Sequence, residues 1–219
     1  MTEPQQPFYV AIEGVIGVGK TTLARLLQPR FEAELLLEAF EENPFLPKFY
    51  EDQERYAFQT QIFFLLSRYR QQTQQVPHLL GTGRNILADY TFAKDAIFAR
   101  LTLKGDEWDM YLRVHEALAE KLPRPDLVVY LRATPDTLMQ RIALRDRPYE
   151  RAIPRSYIED LYAAYEAHFA NDVGVPVLVL DADALDFVAH PEHLRLIEDR
   201  LRQALGLPPY QPLLPLNGA

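Results

Sequence analysis

The chain of 219 residues contains no cysteine. Disulfides, thiolate metal sites and cysteine nucleophiles are therefore excluded, in agreement with a reducing compartment. Long apolar runs are also absent: nothing approaches the roughly 18 residues of a membrane-spanning helix. The N-terminal stretch MTEPQQPFYV lacks the basic and apolar regions of a signal peptide. A cytoplasmic protein with no membrane partner is expected. Positive charge is in deficit, with 23 Lys and Arg against 31 Asp and Glu, a net charge of -8. Such a surface repels a phosphate backbone, so no nucleic acid is expected as a partner and a small molecule is favoured. No Gly/Ser-rich or single-charge segment divides the chain, and a hydrophobic content of 48% is enough for one well-buried core. A single domain over residues 1–219 is expected. It ends in a Pro-rich tail, about 206–219, that matches PxxP at Pro209/Pro212 and Pro212/Pro215.

What is present is an alternation. Apolar β-rich runs recur at Phe8 to Ile12, Leu35 to Leu37, Ile86 to Ala88, Leu127 to Leu131 and Val177 to Leu180. Helix-period segments lie between them, near 20–29, 53–75, 92–102, 106–121, 135–145, 155–170 and 190–205. RQQTQQ, residues 70 to 75, reads as the exposed end of one of these helices. This pattern predicts an α/β fold with a central parallel sheet of about five strands flanked by helices. In such sheets ligands sit beyond the carboxyl ends of the strands. The residues to inspect first are Gly14, Glu38, Asp89, Arg132 and Asp181.

The first of these opens EGVIGVGKTT, in which Gly14, Gly19, Lys20 and Thr21 satisfy G-x-x-x-x-G-K-[ST] between a predicted strand and a predicted helix. Gly14, Gly17 and Gly19 let the backbone turn its N–H groups toward phosphate oxygens, and the helix start adds positive potential. Lys20 supplies a point charge, Thr21 a hydroxyl for Mg²⁺, and Thr22 is placed to reach a phosphate oxygen. The loop Gly14, Val15, Ile16, Gly17, Val18, Gly19, Lys20, Thr21 and Thr22 is thus expected to bind a nucleoside triphosphate. Further on, LMQRIALRDRPYERAIP sets Arg141 and Arg145 on one helix face, with Arg147 just beyond. This is a local basic patch, residues 141–153, on an acidic protein. Guanidinium forks suit phosphate oxygens, so the patch reads as a lid over a transferring phosphoryl group.

The chain resembles the deoxynucleoside kinase family, particularly its bacterial deoxyadenosine/deoxyguanosine members. The resemblance rests on GVIGVGKTT, LLLEAFEENPF, YEDQERYAFQTQIFFLLSRYR, ILADYTFAKDAIFA, DEWDMY, PDLVVYLRATPDTLMQRI and RIALRDRPYERAIP. It implies transfer of the γ-phosphoryl group of ATP, with Mg²⁺, to the 5′-hydroxyl of a deoxynucleoside, by a homodimer. Glu38 would be the general base, with Glu41 and Glu42 as close rivals. Asp89 would organise Mg²⁺ or serve as the base itself, alongside Thr21. Lys20, Arg141, Arg145 and Arg147 would stabilise charge, with Arg145 also on ATP. The sequence departs from the family where acidic-Arg-Ser is common: this chain reads Asp89-Tyr90-Thr91. Lys94 or a lid arginine is expected to replace that arginine in part.

For the nucleoside, Gln61 and Arg68 are seven residues apart, which places them on one helix face about 10.5 Å apart in rise. An amide and an arginine can read a base edge, and Phe64 and Phe92 can stack on it. The resemblance pairs Asp95 with the arginine, and gives Tyr50 and Glu150 the sugar 3′-hydroxyl. A purine is favoured, with deoxycytidine as the alternative; a thymidylate-type monophosphate kinase shares the loop and the lid.

Overall fold

The computed structural model describes residues 6–171 and 173–210; the side chain of Glu41 and the PxxP tail beyond Tyr210 lie outside the described residues. The elements run β1 (Tyr9–Glu13), α1 (Lys20–Phe31), β2 (Ala33–Leu36), a 3₁₀ turn (Phe40–Glu42), α2 (Leu46–Glu51), α3 (Gln53–Gly81) and β3 (Asn85–Ala88). They continue with α4 (Ala93–Thr102), α5 (Gly105–Ala119), β4 (Leu127–Arg132), α6 (Pro135–Arg145), a 3₁₀ turn (Pro148–Glu150), α7 (Arg155–Phe169), β5 (Val177–Asp181) and α8 (Pro191–Ala204). The five strands are parallel and lie in the order β2-β3-β1-β4-β5. The chain first builds to one side of β1 and then to the other. That reversal beside β1 opens a crevice at the carboxyl edge of the sheet.

Strand β1 is buried along its whole length, as a central strand covered on both faces must be. Val10 and Ile12 pack in one cluster with Leu23 and Leu27 of α1. Tyr9 and Ala11 face the other way, joining Ile86 and Ala88 of β3 and Val76 of α3. Helix α1 buries Leu23, Ala24, Leu27 and Phe31, one stripe at helical spacing. Truncating Leu27 to Ala would cost about 2–5 kcal/mol. No helix among the described residues is long and apolar enough to cross a membrane.

One expectation needs correction and one helix was not foreseen. Residues 70–75 are not an exposed helix end: α3 runs on to Gly81, with Gln72 and Val76 buried and Pro77 inside it. Burial against β1 and β3 outweighs the hydrogen bond that proline removes. Helix α2 went unforeseen because six residues with a proline at the start carry no readable period.

Candidate active site

β1 ends at Glu13 and the chain turns at once. Gly14 has φ 146°, and a Cβ there would lie 2.4 Å from the carbonyl oxygen of Leu131. Only glycine lets the loop start this close to β4. Gly19, at φ 106°, begins α1 with no side-chain cap. The first N–H groups of α1 therefore face the crevice as anion donors. Lys20 Nζ donates to the carbonyls of Gly14 (2.6 Å) and Val15 (3.1 Å). Burial and the nearby Lys94 charge lower its pKa to about 8, against the opposing pull of Glu13, Glu38 and Asp89.

Asp89, just past β3, joins three elements. One carboxylate oxygen accepts from the Thr21 hydroxyl, and the other accepts from the backbone N–H of Glu38 at 2.8 Å. A hydroxyl and a carboxylate in contact are hard oxygen donors of the kind Mg²⁺ takes beside phosphate and water, so Thr21 and Asp89 fit that ion.

Glu38 lies between two cations. Its Oε1 accepts from Arg68, and its Oε2 accepts from Lys94 Nζ at 2.5 Å. Burial by itself would raise this carboxyl; Arg68 and Lys94 overcome burial and hold it well below the usual carboxylate range. Arg68 also pairs with Asp95, which is fully buried, and its guanidinium lies 4.8 Å from the centre of the Phe64 ring. Gln61 is buried on the same helix face and donates to Thr102 Oγ1 at 3.3 Å.

The lid closes the far wall. Thr134 and Pro135 start α6, and Asp146 ends it in the left-handed region at φ 48°, which turns the chain back. Arg145 then grips Glu150 through Nε (3.0 Å) and Nη2 (2.6 Å). Arg147 stands 4.3 Å over the Phe40 ring. Tyr50 stacks on Tyr149 with ring centres 6.0 Å apart.

One cleft is lined by Ile16, Gly17, Lys20, Thr21, Glu38, Tyr50, Gln61, Phe64, Arg68, Asp89, Arg145, Arg147 and Glu150. The remaining candidates lie elsewhere. Val15 and Val18 are buried behind the loop. Asp95 sits beneath Arg68 and reaches the cleft only through it. Arg141 donates to the carbonyls of Val18 (3.0 Å) and Ala182 (2.8 Å), so it ties the glycine loop to the end of β5 instead of facing the cleft. Phe92 also faces away, stacked on His115 at 4.7 Å. The aromatic on α4 that lines the cleft is Phe98.

Sequence reasoning missed Phe98, Tyr149 and above all Glu13. Glu13 is fully buried and accepts from Gly14 N–H (3.1 Å), Tyr165 hydroxyl (3.1 Å), and Thr91 N–H (2.5 Å) and Oγ1 (2.8 Å). A carboxylate ending an otherwise apolar strand was the available signal. Lys94 was seen only as a substitute for an arginine. Tyr90, which stands where that arginine is common, is fully buried and donates to Gln71 at 2.6 Å, away from the cleft.

A parallel sheet whose central strand runs into this glycine loop, with acid, ammonium and guanidinium groups gathered beyond its carboxyl edge, defines a P-loop phosphotransferase. Within that class, the family model described as deoxynucleoside kinase matches residues 10–205, and the chain belongs to the deoxynucleoside kinase family. It is 36% identical over 201 residues to a deoxyguanosine kinase of Bacillus subtilis (strain 168), covering 90% of this chain and 97% of that one. A deoxyadenosine/deoxycytidine kinase of the same organism is 29% identical over 204 residues, covering 90% and 92%. The structure of a deoxyadenosine kinase from M. mycoides with bound dATP superposes with a TM-score of 0.78 at 28% identity, covering 89% of this chain and 99% of that one.

Proposed function

We propose that this protein transfers the γ-phosphoryl group of ATP to the 5′-hydroxyl of a purine deoxynucleoside, giving the 5′-monophosphate. The observation that carries the reading is the single cleft in which Glu38 meets both the glycine loop and the Gln61–Phe64–Arg68 helix face. The names of the relatives support the purine: deoxyguanosine for one, deoxyadenosine with deoxycytidine for another.

In this reading the N–H groups of the loop and Lys20 hold the triphosphate. Thr21 and Asp89 hold Mg²⁺, which when bound neutralises phosphate charge. The 5′-oxygen attacks the γ-phosphorus, the bond to the ADP oxygen breaks, and the 5′-hydroxyl proton passes to Glu38. A carboxylate held at low pKa accepts that proton late, when the new bond is largely formed, as suits a loose transition state. Arg145 and Arg147 place lid charge beside the transferring group. Lys94 supplies, from the first turn of α4, the cation that Tyr90 does not. Gln61 and Phe64 hold the base, with Arg68 anchored by Asp95, and Tyr50 with Glu150 holds the 3′-hydroxyl. The whole chain works as one kinase domain, in a cytoplasmic homodimer.

The test compares deoxyadenosine, deoxyguanosine, deoxycytidine and thymidine as acceptors with ATP. A purine deoxynucleoside with the highest kcat/KM is expected; thymidine as the best acceptor would overturn the base assignment.

A further inference from the structure

Glu13 takes no direct part in the transfer, yet it ends β1, is fully buried, and receives four hydrogen bonds from three separate stretches of the chain. Its Oε1 accepts from the N–H and the hydroxyl of Thr91, at 2.5 and 2.8 Å. Its Oε2 accepts from the N–H of Gly14 and the hydroxyl of Tyr165, both at 3.1 Å. Each oxygen thus holds one backbone N–H. Gly14 opens the phosphate loop, and its own carbonyl accepts from Lys20 Nζ at 2.6 Å, so this glycine is held on both sides. Thr91 lies two residues past Asp89 and three before Lys94. Asp89 holds the Thr21 hydroxyl and the N–H of Glu38, and Lys94 holds the Glu38 carboxylate. The pairing of β1 with β3 ends at Ala11 and Ala88. Past that point side chains join the two strands' continuations: Thr21 on Asp89, and Glu13 on Thr91.

Resting on the transfer proposed for the cleft, we infer that Glu13 is a positioning residue: it fixes the phosphate loop, which holds the donor, against the Asp89–Lys94 segment, which faces the transferring group. Thr21 and Asp89 are the groups that fit Mg²⁺, whereas Glu13 is enclosed in protein and keeps its partners through turnover. The task needs two acceptors and no donor, which a carboxylate supplies and an amide does not. Glu13→Gln keeps the shape but turns an NH₂ toward the N–H of either Gly14 or Thr91. The hydroxyls of Thr91 and Tyr165 can rotate to accept from it; a backbone N–H cannot. Two buried donors facing each other are costly, so loop and segment move apart there.

The test is steady-state kinetics on the full chain with ATP and a purine deoxynucleoside, each varied at a saturating level of the other, below the Tm of every variant. Glu13→Gln is expected to lower kcat/KM for ATP about 10–100-fold. The KM for the deoxynucleoside should stay within about twofold of wild type, because Tyr50, Gln61 and Phe64 stand on α2 and α3, which give Glu13 no hydrogen bond. Tyr165→Phe removes a partner of the same carboxylate but leaves both backbone bonds, so it lowers Tm and keeps kcat/KM. Thr91→Val keeps shape and N–H and loses only the hydroxyl bond; it folds even if Glu13→Gln does not, and lowers kcat/KM for ATP about threefold. Wild-type kcat/KM for ATP in Glu13→Gln or in Thr91→Val overturns the inference. So does a loss in Tyr165→Phe as large as in Glu13→Gln, or a rise in the deoxynucleoside KM that matches the rise for ATP, the mark of general loosening. A wild-type protein that phosphorylates no deoxynucleoside overturns the kinase reading, and this inference with it.

Discussion

Replacing Lys94 by Met keeps the length and the apolar stem of the side chain and removes its charge. In the wild type that ammonium is 2.5 Å from Glu38 Oε2 and nearly buried. Two unit charges about 4 Å apart attract by about 4 kcal/mol at an effective dielectric constant near 20, so the group is a strong local source of positive potential. Its loss acts in two directions. Glu38, left with Arg68 alone, rises toward an ordinary carboxyl and becomes a better proton acceptor. Against that, the transferring phosphoryl group loses a fixed cation, and one such donor in a water-poor site is worth about 2.7–4 kcal/mol, or 10²–10³ in kcat. The second effect wins because most of the charge in a loose transition state lies on phosphoryl oxygens. Arg68, Arg145 and Arg147 remain, so the loss falls at the lower end. Lys94→Met is expected to lower kcat about 100-fold, and Lys94→Arg to stay within about tenfold of wild type. Steady-state kinetics with ATP and a purine deoxynucleoside, checked by a melting curve, measures both. If Lys94→Met turns over within about threefold of wild type, Lys94 does not act on the phosphoryl group.

Glu38→Gln keeps the shape and removes the base, and a fall in kcat of about 10²–10⁴ is expected; near-normal turnover would assign the proton to another group. The same variant tests the electrostatics of the cluster by pH. Because Glu38 is held below its unfolded value of about 4.3, its ionised form adds stability above that pH and the addition is lost as pH falls. The gap in Tm between wild type and Glu38→Gln should therefore shrink between about pH 7 and pH 3, and a constant gap would contradict the clamp by Arg68 and Lys94. Gly14→Ala pushes a Cβ against the Leu131 carbonyl in a backbone region L-residues rarely adopt; a loss of about 2–6 kcal/mol is expected, read by chemical unfolding, and an unchanged midpoint would contradict the strain.

Four strand positions were legible because β1, β3, β4 and β5 follow short apolar runs, whereas β2 (Ala33–Leu36) begins two residues before the run Leu35 to Leu37 and carries Glu34. The glycine loop was legible because its backbone demands glycine at fixed offsets. Other features depend on tertiary packing that no local period carries. Phe92 caps the start of α4 and Phe98 lies in its middle, and only the docking of α5 decides that Phe92 stacks on His115 while Phe98 faces the cleft. Arg141 and Arg145 share a helix face, yet the first is taken by the carbonyls of Val18 and Ala182 and the second by Glu150. The partners of Arg141 are 123 and 41 residues away, and Glu150, only five residues from Arg145, comes opposite it because the chain reverses at Asp146. Glu13 shows the same limit: its partners, Thr91 and Tyr165, are 78 and 152 residues away.

The most direct test of the central claim is the identity of the product. With ATP labelled on its γ-phosphate and deoxyguanosine or deoxyadenosine as acceptor, mass spectrometry and ³¹P NMR should find the label on the 5′-oxygen, and the matching 5′-deoxy analogue should take none. Label transfer to the 5′-deoxy analogue, or ATP hydrolysis that ignores the nucleoside, would contradict the account.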